Sequence, residues 1–415
     1  MTELKIFDKF TGSEVGEVEI LKIEDNSFEK NSMRTTEFNL KERLTILREA
    51  SDLIDQNMEF LAQTLSMETG KAYRNAEWEL IHMKDLMLNP ILTMSDHRIA
   101  YENCMEESNE IHLFNIPEGI PVQAFINEAI TGILKGQKTI VLHNPSCPLT
   151  TMKISEILGE SVKGWKKFIT DVLMESQNSG IKKIISSEEP HTMTFYGTPE
   201  ECTGFSKFTG LINAKMSIMS NSRAVIWDKK YMEYALDWAL RKSLTPVSNH
   251  RMRVQTIIVK AEFFTYFKNR FMELSKKLKF GAPVDKAQDC NYYPNISEEK
   301  RAIQVVKHAR EMGFVIEGEE DKRFPIVLHN EYDDLKKKLE DIDGAIAFIV
   351  PAKSLKDAMN FSFERKSWET TYLFANGIEE ADLVKSLSGQ SSVIFNPKKE
   401  DLVGFSKHIE KKVIS

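Results

Sequence analysis

The sequence predicts an α/β protein with two parallel-sheet units, and three observations lead to this class. Short apolar runs alternate with helix-like patterns, the order expected for a parallel sheet covered by helices on both faces. This alternation occurs twice with different spacing, and the two halves divide near residue 219. The chain has 415 residues, 41% of them apolar and 28% charged, which suits a globular protein with more than one domain.

The elements follow from apolar spacing. Residues 41–68 predict one long amphipathic helix, because large apolar side chains recur there every three or four residues. In the first half, strands are predicted at 111–114, 139–142, 182–185 and 192–197, and helices at 121–136, 149–158 and 199–211. In the second half, strands are predicted at 224–227, 255–259, 345–350, 371–375 and 392–395, and helices at 229–243, 261–277, 297–312, 331–341, 354–362 and 379–387. The runs RIAY and EIHLF, joined by a polar stretch, also favour a β-hairpin over 98–114.

Bulk properties exclude several classes of protein. A formal net charge of −7 without a block of Lys or Arg argues against nucleic acid or an anionic membrane as partner. The apolar runs are far shorter than the ~20 residues that a membrane-spanning helix needs. The first residues lack the pattern of a signal peptide. The cysteines lie far apart with no CxxC pair, so we expect a reduced, cytoplasmic protein (Cys104, Cys147, Cys202 and Cys290).

Six segments, in order and at compatible spacing, resemble the aldehyde dehydrogenase superfamily. The first is 41–71, which ends in ETGK like the family's early helix, and the second is 116–142, where IPEGIP is similar to the family's P-W-N-x-P. The others are CPLTT (147–151), similar to T-P-L-T; TFYGTPE (194–200), similar to F-T-G-S-x-E; LEDIDGAI (339–346), similar to E-E-x-F-G-P; and SSVIFNP (391–397), similar to G-x-V-x-V-N. The centre is most similar to the CoA-acylating branch and the fatty acyl-CoA reductases, in residues 111–121 and 219–226 and in a strand segment (251–259) with Gln255 in register.

The resemblance implies a domain plan and a set of partners. Residues 1–95 and 115–219 would form a Rossmann-type domain of the kind that binds a cofactor, and 220–391 a catalytic-type α/β domain. Residues 96–114 and 392–415 would form an oligomerisation hairpin and tail, which predicts a homodimer; an active paralogue or an acyl-transfer partner is a further expectation. NAD or NADP is the cofactor that the family implies.

The family's chemistry needs a thiolate that attacks the substrate carbonyl before hydride transfer. When the family pattern is aligned backwards from the 255–259 strand, the position of the nucleophilic cysteine carries Arg251. A guanidinium cannot act as a nucleophile, because it stays protonated and offers only hydrogen-bond donors. The asparagine that donates to the oxyanion falls on Gly119, and the loss of one such donor costs ~3 kcal/mol of transition-state stabilisation. The glutamate base of the hydrolytic enzymes falls on Ile218. The resemblance therefore implies that the catalytic set is missing.

The cofactor positions are also altered. The family's K-P-S-E, which supplies a lysine and a glutamate, matches LHNPSC (142–147), which has neither. Its ribose-binding glutamate falls on Asp341, and a phenylalanine near the nicotinamide falls on Asp343. The helix start after Gly197 and Thr198 remains as a phosphate-binding feature. Binding of NAD or NADP is thus doubtful.

Three functions stay open. The favoured one is a degenerate, non-catalytic family member kept for assembly or binding. The second is an active NAD(P)-dependent aldehyde dehydrogenase or acyl-CoA reductase that uses rearranged residues, with Cys147 or Cys202 as the replacement nucleophile, although free cysteines are more often buried. The third is a sensor in which Arg251 and Arg253 hold an acidic metabolite, whereas a structural ion pair is the favoured role of these arginines.

Overall fold

The chain forms two compact units, seen in a computed structural model. The model describes residues 2–20, 38–89, 110–197, 199–206, 213–218, 222–244, 253–289, 296–318, 326–329, 345–363, 371–376 and 393–396. Unit 1 comprises Met1–Thr69 and Ala76–Ile218, and unit 2 comprises Gly70–Asn75 and Met219–Ser415. Each unit contains a mainly parallel sheet with helices packed on it, which confirms the predicted α/β class.

Unit 1 contains an antiparallel hairpin and a five-stranded parallel sheet. The hairpin is β1 (Thr2–Phe7) and β2 (Glu14–Ile20). The sheet has the order β5-β4-β3-β6-β7, with β3 (Ile111–Asn115), β4 (Lys138–His143), β5 (Ile169–Leu173), β6 (Thr192–Gly197) and β7 (Asn213–Ile218). The helices are α1 (Leu40–Gln56), α2 (Met58–Thr69), α3 (Tyr73–Leu88), α4 (Pro121–Lys135), α5 (Leu149–Ser161), α6 (Trp165–Phe168), α7 (Gln177–Glu188) and α8 (Pro199–Ser206).

Unit 2 contains a seven-stranded sheet in which only the β10–β11 pair is antiparallel. Its order is β10-β11-β12-β9-β8-β13-β14, with β8 (Ser222–Ile226), β9 (Val254–Lys260), β10 (Val315–Glu317), β11 (Ile326–His329), β12 (Ile346–Ala352), β13 (Thr371–Phe374) and β14 (Val393–Phe395). The helices are α9 (Met232–Leu244), α10 (Phe264–Ser275), α11 (Ile296–Glu311) and α12 (Leu355–Phe363). The strands at 139–142 and 224–227 therefore lie in different sheets.

The prediction of a single helix over 41–68 is wrong, because the helix is interrupted at Asn57. The amide N–H of Asn57 donates to the carbonyls of Leu53 and Ile54, and its side-chain Nδ2 donates to Leu53 O at 2.8 Å. These bonds close α1 before α2 begins. The start of α1 is a capping box, in which Asn39 accepts from the Glu42 amide and the Glu42 carboxylate accepts from the Asn39 amide.

Three other predicted elements are corrected. Residues 182–185 belong to α7, where Ile181 and Ile184 are buried and the two lysines between them are exposed, a helical spacing. Residues 111–114 do not form a hairpin strand, because β3 is the central strand and pairs in parallel with β4 and β6. Val393–Phe395 is not part of a tail, since it pairs with β13. The remainder of the predicted hairpin (98–109) and the segment 397–415 lie outside the described residues.

Candidate active site

The candidate site is the edge of the unit 1 sheet at which the parallel strands end. Open α/β sheets bind ligands outside the carboxyl ends of their strands. The register pairs Asn115 of β3 with Leu142 of β4, and Gly197 of β6 with Ile218 of β7. Three of the predicted site residues belong to this edge, since Gly197 and Ile218 end neighbouring strands and Gly119 follows β3. Thr198 lies outside the described residues.

Asn115 and Gln177 hold the backbone of this edge. The Asn115 Nδ2 donates to Tyr196 O at 2.7 Å, and its Oδ1 accepts from the Tyr196 amide at 2.8 Å. The Gln177 Nε2 donates to Ile116 O at 2.8 Å. Two polar side chains at the carboxyl ends of the strands are therefore hydrogen-bonded to the main chain.

The loop between β3 and α4 is tied down at both ends. The Ile116 amide donates to Leu142 O at 2.9 Å, and the Glu118 carboxylate forms an ion pair with Lys9. At the start of α4, the Glu79 carboxylate accepts from the Gln123 amide at 2.8 Å. Gly119 is buried within this loop and carries no side-chain donor. The loop thus places an acidic residue and a glycine where the resemblance implied an amide donor.

The start of α8 carries a carboxylate. A Cβ added at Gly197 would lie 3.1 Å from the Glu201 Oε2, so this carboxylate sits beside the backbone at the end of β6. An acidic side chain in the first turn interacts favourably with the helix dipole. The same negative charge opposes a phosphate at this helix start.

Polar side chains in the turn after β4 form hydrogen bonds within the turn itself. The Asn144 Oδ1 accepts from both the amide and the hydroxyl of Ser146, each at 2.9 Å. Cys147, at the end of the same segment, is fully buried. The stretch therefore presents neither a cation nor a carboxylate at the two positions that the resemblance assigned to the ribose.

The family assignment follows from how much of the chain the family model matches. The model of the aldehyde dehydrogenase family matches residues 19–401. The chain belongs to the aldehyde dehydrogenase family. It is 21% identical over 400 residues to the 3-sulfolactaldehyde dehydrogenase of Priestia aryabhattai, a match covering 91% of this chain and 83% of that protein.

Solved structures show the same fold. An NAD-dependent benzaldehyde dehydrogenase from Corynebacterium glutamicum has a TM-score of 0.80 at 15% identity, covering 95% of this chain and 90% of that one. A glyceraldehyde-3-phosphate dehydrogenase from Methanocaldococcus jannaschii complexed with NADP has a TM-score of 0.80 at 14% identity, covering 97% and 91%. The aldehyde dehydrogenase-like fold is thereby confirmed.

Two thiols of this aldehyde dehydrogenase family member lie among the described residues, and both are buried. Cys147 is 0% and Cys202 is 4% exposed. The Cys202 Sγ lies 3.6 Å from Gly197 O. Burial, reinforced by the negative charge of Glu201, raises the pKa of Cys202 to about 11. Since the thiolate is the nucleophile, Cys202 is unreactive at neutral pH.

In unit 2, Arg253 is fully buried and its Nη2 lies 3.4 Å from Ile346 O. This burial favours a structural role over recognition of an anion from solvent. Arg251, Asp341 and Asp343 lie outside the described residues, as does Cys290, so their predicted roles stay predictions.

A buried polar network on the inner face of α4 was missed by sequence reasoning. The Glu128 Oε2 lies 3.0 Å from the His112 Nε2 and accepts from the Thr194 hydroxyl at 3.3 Å, while its Oε1 accepts from the Tyr196 hydroxyl at 2.8 Å. Glu128 is only 2% exposed. The available signal was the single charge within the apolar helix pattern over 121–134.

A second missed network joins β4, β5 and α5. The His143 Nε2 lies 2.8 Å from the Asp171 Oδ1, and its Nδ1 lies 2.9 Å from the Thr151 Oγ1. The Ser155 hydroxyl donates to the Asp171 Oδ2 at 2.5 Å. The burial of His143 favours a structural role for this group.

The described part of the chain offers neither a membrane-spanning helix nor a metal-binding cluster. No helix there is long and apolar enough to cross a membrane. No cluster of three or more His, Cys, Asp or Glu side chains there could hold a metal ion.

Proposed function

We propose that this aldehyde dehydrogenase family member is non-catalytic and serves as an assembly or binding subunit, with Arg251 in place of the nucleophilic cysteine. The observation that carries the proposal is the burial of Cys147 and Cys202, the two thiols nearest in sequence to the candidate site. No cysteine occurs between Cys202 and Cys290 in the sequence. Covalent catalysis by the family's route therefore has no thiolate at the expected place.

We also propose that the chain binds NAD and NADP poorly. Three features support this: the Glu201 carboxylate beside Gly197, the Asn144 side chain engaged with Ser146, and the buried Cys147. Because these residues do not fit the phosphates and ribose of a dinucleotide, no hydride-transfer step is assigned to them.

Three finer assignments belong to the same proposal. The similarity of 219–226, and of 251–259 with Gln255, supports descent from the CoA-acylating branch and the acyl-CoA reductases. The resemblance of the C-terminal segment to the family's oligomerisation tail supports a homodimer, whereas the pairing of β3 with β4 and β6 removes 111–115 from the predicted hairpin. The widely spaced cysteines support a cytoplasmic location. Light scattering that shows only a 47.7 kDa species at micromolar concentration would overturn the dimer.

The experiment that tests the non-catalytic role is an assay of purified protein with NAD or NADP and a panel of aldehydes and acyl-CoAs. We expect no turnover above background, before or after treatment with iodoacetamide. Robust turnover abolished by alkylation would overturn the proposal. Single Cys→Ser variants at Cys104, Cys147, Cys202 and Cys290 would then identify the thiol responsible.

A second experiment tests whether a cysteine at the nucleophile position restores activity. Arg251→Cys restores a thiol at the nucleophile position, but Gly119 still lacks the oxyanion donor. Because groups that act as a unit are non-additive, we expect little or no turnover from Arg251→Cys. Arg251→Ser serves as the control that removes the guanidinium without adding a thiol.

A further inference from the structure

Glu68, near the end of α2, is a buried carboxylate that caps a different helix. Its Oε2 accepts from the Leu149 amide at 2.8 Å, and its Oε1 accepts from the Thr150 amide at 2.9 Å. The residue that precedes α5 in the chain, Pro148, supplies no side-chain cap. Glu68 therefore satisfies two of the amide groups that every helix start leaves open.

The charge that acts on Glu68 comes from the turn between β1 and β2. The elements packed against α2 include α1, α5 and β1. Lys9, which follows β1, donates its amide to Met67 O at 3.0 Å, and its positive charge reaches the Glu68 carboxylate. Asp8, beside it, accepts from amides of its own turn. The face of α5 toward Glu68 contributes the two amide donors.

Lys9 has a second acidic neighbour. Its side chain is only 13% exposed and forms an ion pair with Glu118, in the loop between β3 and α4. One partly buried ammonium thus pairs with a carboxylate of the candidate-site loop and acts electrostatically on the carboxylate that caps α5.

We propose that Glu68, Lys9 and Glu118 form a proton-sensitive link between the start of α5 and the loop after β3. When Glu68 loses its proton, its carboxylate competes with Glu118 for the Lys9 ammonium, and the hold on the loop weakens. When Glu68 is protonated, this competition ends and Lys9 pairs more strongly with Glu118. This link is independent of whether the chain has catalytic activity.

The pH range follows from the environment of Glu68. Burial raises the pKa of its carboxyl to about 7, against the opposing effect of the Thr150 and Leu149 hydrogen bonds and of Lys9. In the unfolded chain, a glutamate titrates near ~4.3. Between these values the folded protein binds more protons than the unfolded one. The stabilising contribution is therefore complete below about pH 4.3 and is lost as the pH rises through about 7.

The test compares the melting temperature of the wild type and of Glu68→Gln from pH 5 to pH 8.5. We expect the difference, wild type minus variant, to fall by about 4 °C over this range and to level off above about pH 7. Glu79→Gln is the matched control, because Glu79 also caps a helix start through one amide but is partly exposed. That variant reports the cost of losing a helix-capping carboxylate, which is compared with the Glu68→Gln effect at each pH.

The coupling is tested by the pH at which this difference levels off. Lys9→Met removes the positive charge and should raise that pH by about 0.5 unit, whereas Glu118→Gln removes the competing carboxylate and should lower it by a similar amount. If neither substitution moves that pH, Glu68 titrates alone and the link is overturned. A difference that is flat or rises with pH overturns the titration itself. If Glu68→Gln does not fold, infrared difference titration of the protonated carboxyl band in the wild type and the other two variants reads the pKa of Glu68 directly.

Discussion

The two sheets bury different kinds of side chain beneath their helices. In unit 1, the face toward α4 and α5 carries two hydrogen-bonded networks, one centred on Glu128 and the other on His143. In unit 2, the face toward α9 and α10 is lined by apolar residues of the middle strands and packs against aromatic residues of those helices (Ala224, Ile226, Ile257, Val259, Ala347, Ile349, Trp238, Phe267 and Phe271). The buried Gln255, which strand alternation places on the same face as Ile257, is an exception.

This difference predicts two kinds of sensitivity. A hydrogen-bonded interior requires each donor to meet an acceptor, so a change of one atom type is costly even when the volume is kept. An apolar interior tolerates exchanges that preserve volume and responds strongly to lost volume. The stability of unit 1 should therefore depend mainly on the polarity of its buried side chains, and that of unit 2 on their volume.

The largest effect is expected from lost volume in unit 2. Trp238 is fully buried, with its ring centroid 4.6 Å from that of Tyr372 and 5.2 Å from that of Phe374. Trp238→Ala should lower the free energy of unfolding by about 4 kcal/mol. Hydrogen exchange read by mass spectrometry should show the loss of protection in unit 2 peptides.

Trp238→Phe is the control for that prediction. Within the described part of the chain the Trp238 Nε1 has no hydrogen-bond partner, so Phe loses ring volume but no polar contact. We expect less than half the effect of Ala. An equal loss of protection in unit 1 peptides after Trp238→Ala would contradict the assignment of a separate core to each unit.

The polar interior of unit 1 is tested without a change of volume. Glu128→Gln keeps the shape of the side chain but replaces a carboxylate oxygen that faces His112, Thr194 or Tyr196. We expect a loss of about 2 kcal/mol, because hydrogen bonds to charged groups are worth about 1.5–3 kcal/mol. Urea unfolding at constant pH provides the measurement.

Thr139→Val is the matched control on the same sheet. The Thr139 Oγ1 is buried and has no hydrogen-bond partner among the described residues, so its loss leaves no other group unsatisfied. We expect a change within about 0.5 kcal/mol. If Thr139→Val is as costly as Glu128→Gln, the interior of unit 1 depends on packing and the contrast with unit 2 fails.

Much of the fold was predictable from local patterns, and the failures have physical causes. The strand at 139–142 and the helix at 121–136 were found because each stretch has a long, consistent apolar pattern. The break at Asn57 was missed because it depends on hydrogen bonds to Leu53 and Ile54 that leave the apolar spacing unchanged. The second strand of the hairpin predicted over 98–114 was wrong, because a strand next to a polar stretch has the same pattern whether it pairs locally or enters a parallel sheet.

The site was predictable in part. The family motifs located Gly119 and Gly197 at the edge of the sheet, which the strand order of unit 1 explains. The Glu201 carboxylate beside Gly197 and the Glu68 cap on α5 were not foreseen, because each contact joins residues through tertiary geometry. Burial of Cys147 and Cys202 was expected only from the general behaviour of free cysteines.

A smaller effect is expected where each unit uses an asparagine to hold a neighbouring strand. Asn115→Ala removes both hydrogen bonds to the Tyr196 main chain, and we expect a loss of about 1.5 kcal/mol. Asn115→Asp keeps the acceptor for the Tyr196 amide but replaces the donor with a carboxylate oxygen that faces Tyr196 O. Exchange of that amide should therefore quicken more in the Ala variant than in the Asp variant, and equal rates would contradict the role of the acceptor.

The smallest effect is expected at Asn396, which follows β14 in unit 2. Its Oδ1 accepts from the Ala375 amide at 3.1 Å and its Nδ2 donates to Ala375 O at 2.9 Å, the same pattern as at Asn115. Its backbone, however, is left-handed, with φ of 43°. Asn396→Gly keeps that conformation accessible and loses only the side-chain bonds, for an expected cost of about 0.5–1 kcal/mol.

Asn396→Ala separates the contribution of the hydrogen bonds from that of the backbone at this position. Alanine loses the same side-chain bonds as glycine and also adds the cost of a left-handed backbone, which is about 1 kcal/mol. The gap between Ala and Gly in urea unfolding then measures the backbone, and Gly alone measures the hydrogen bonds. If Asn396→Gly costs as much as Asn115→Ala, the polar contacts at the strand ends matter equally in both units. The difference between the units would then be confined to the helix-covered faces of their sheets, where Glu128 and Trp238 test it.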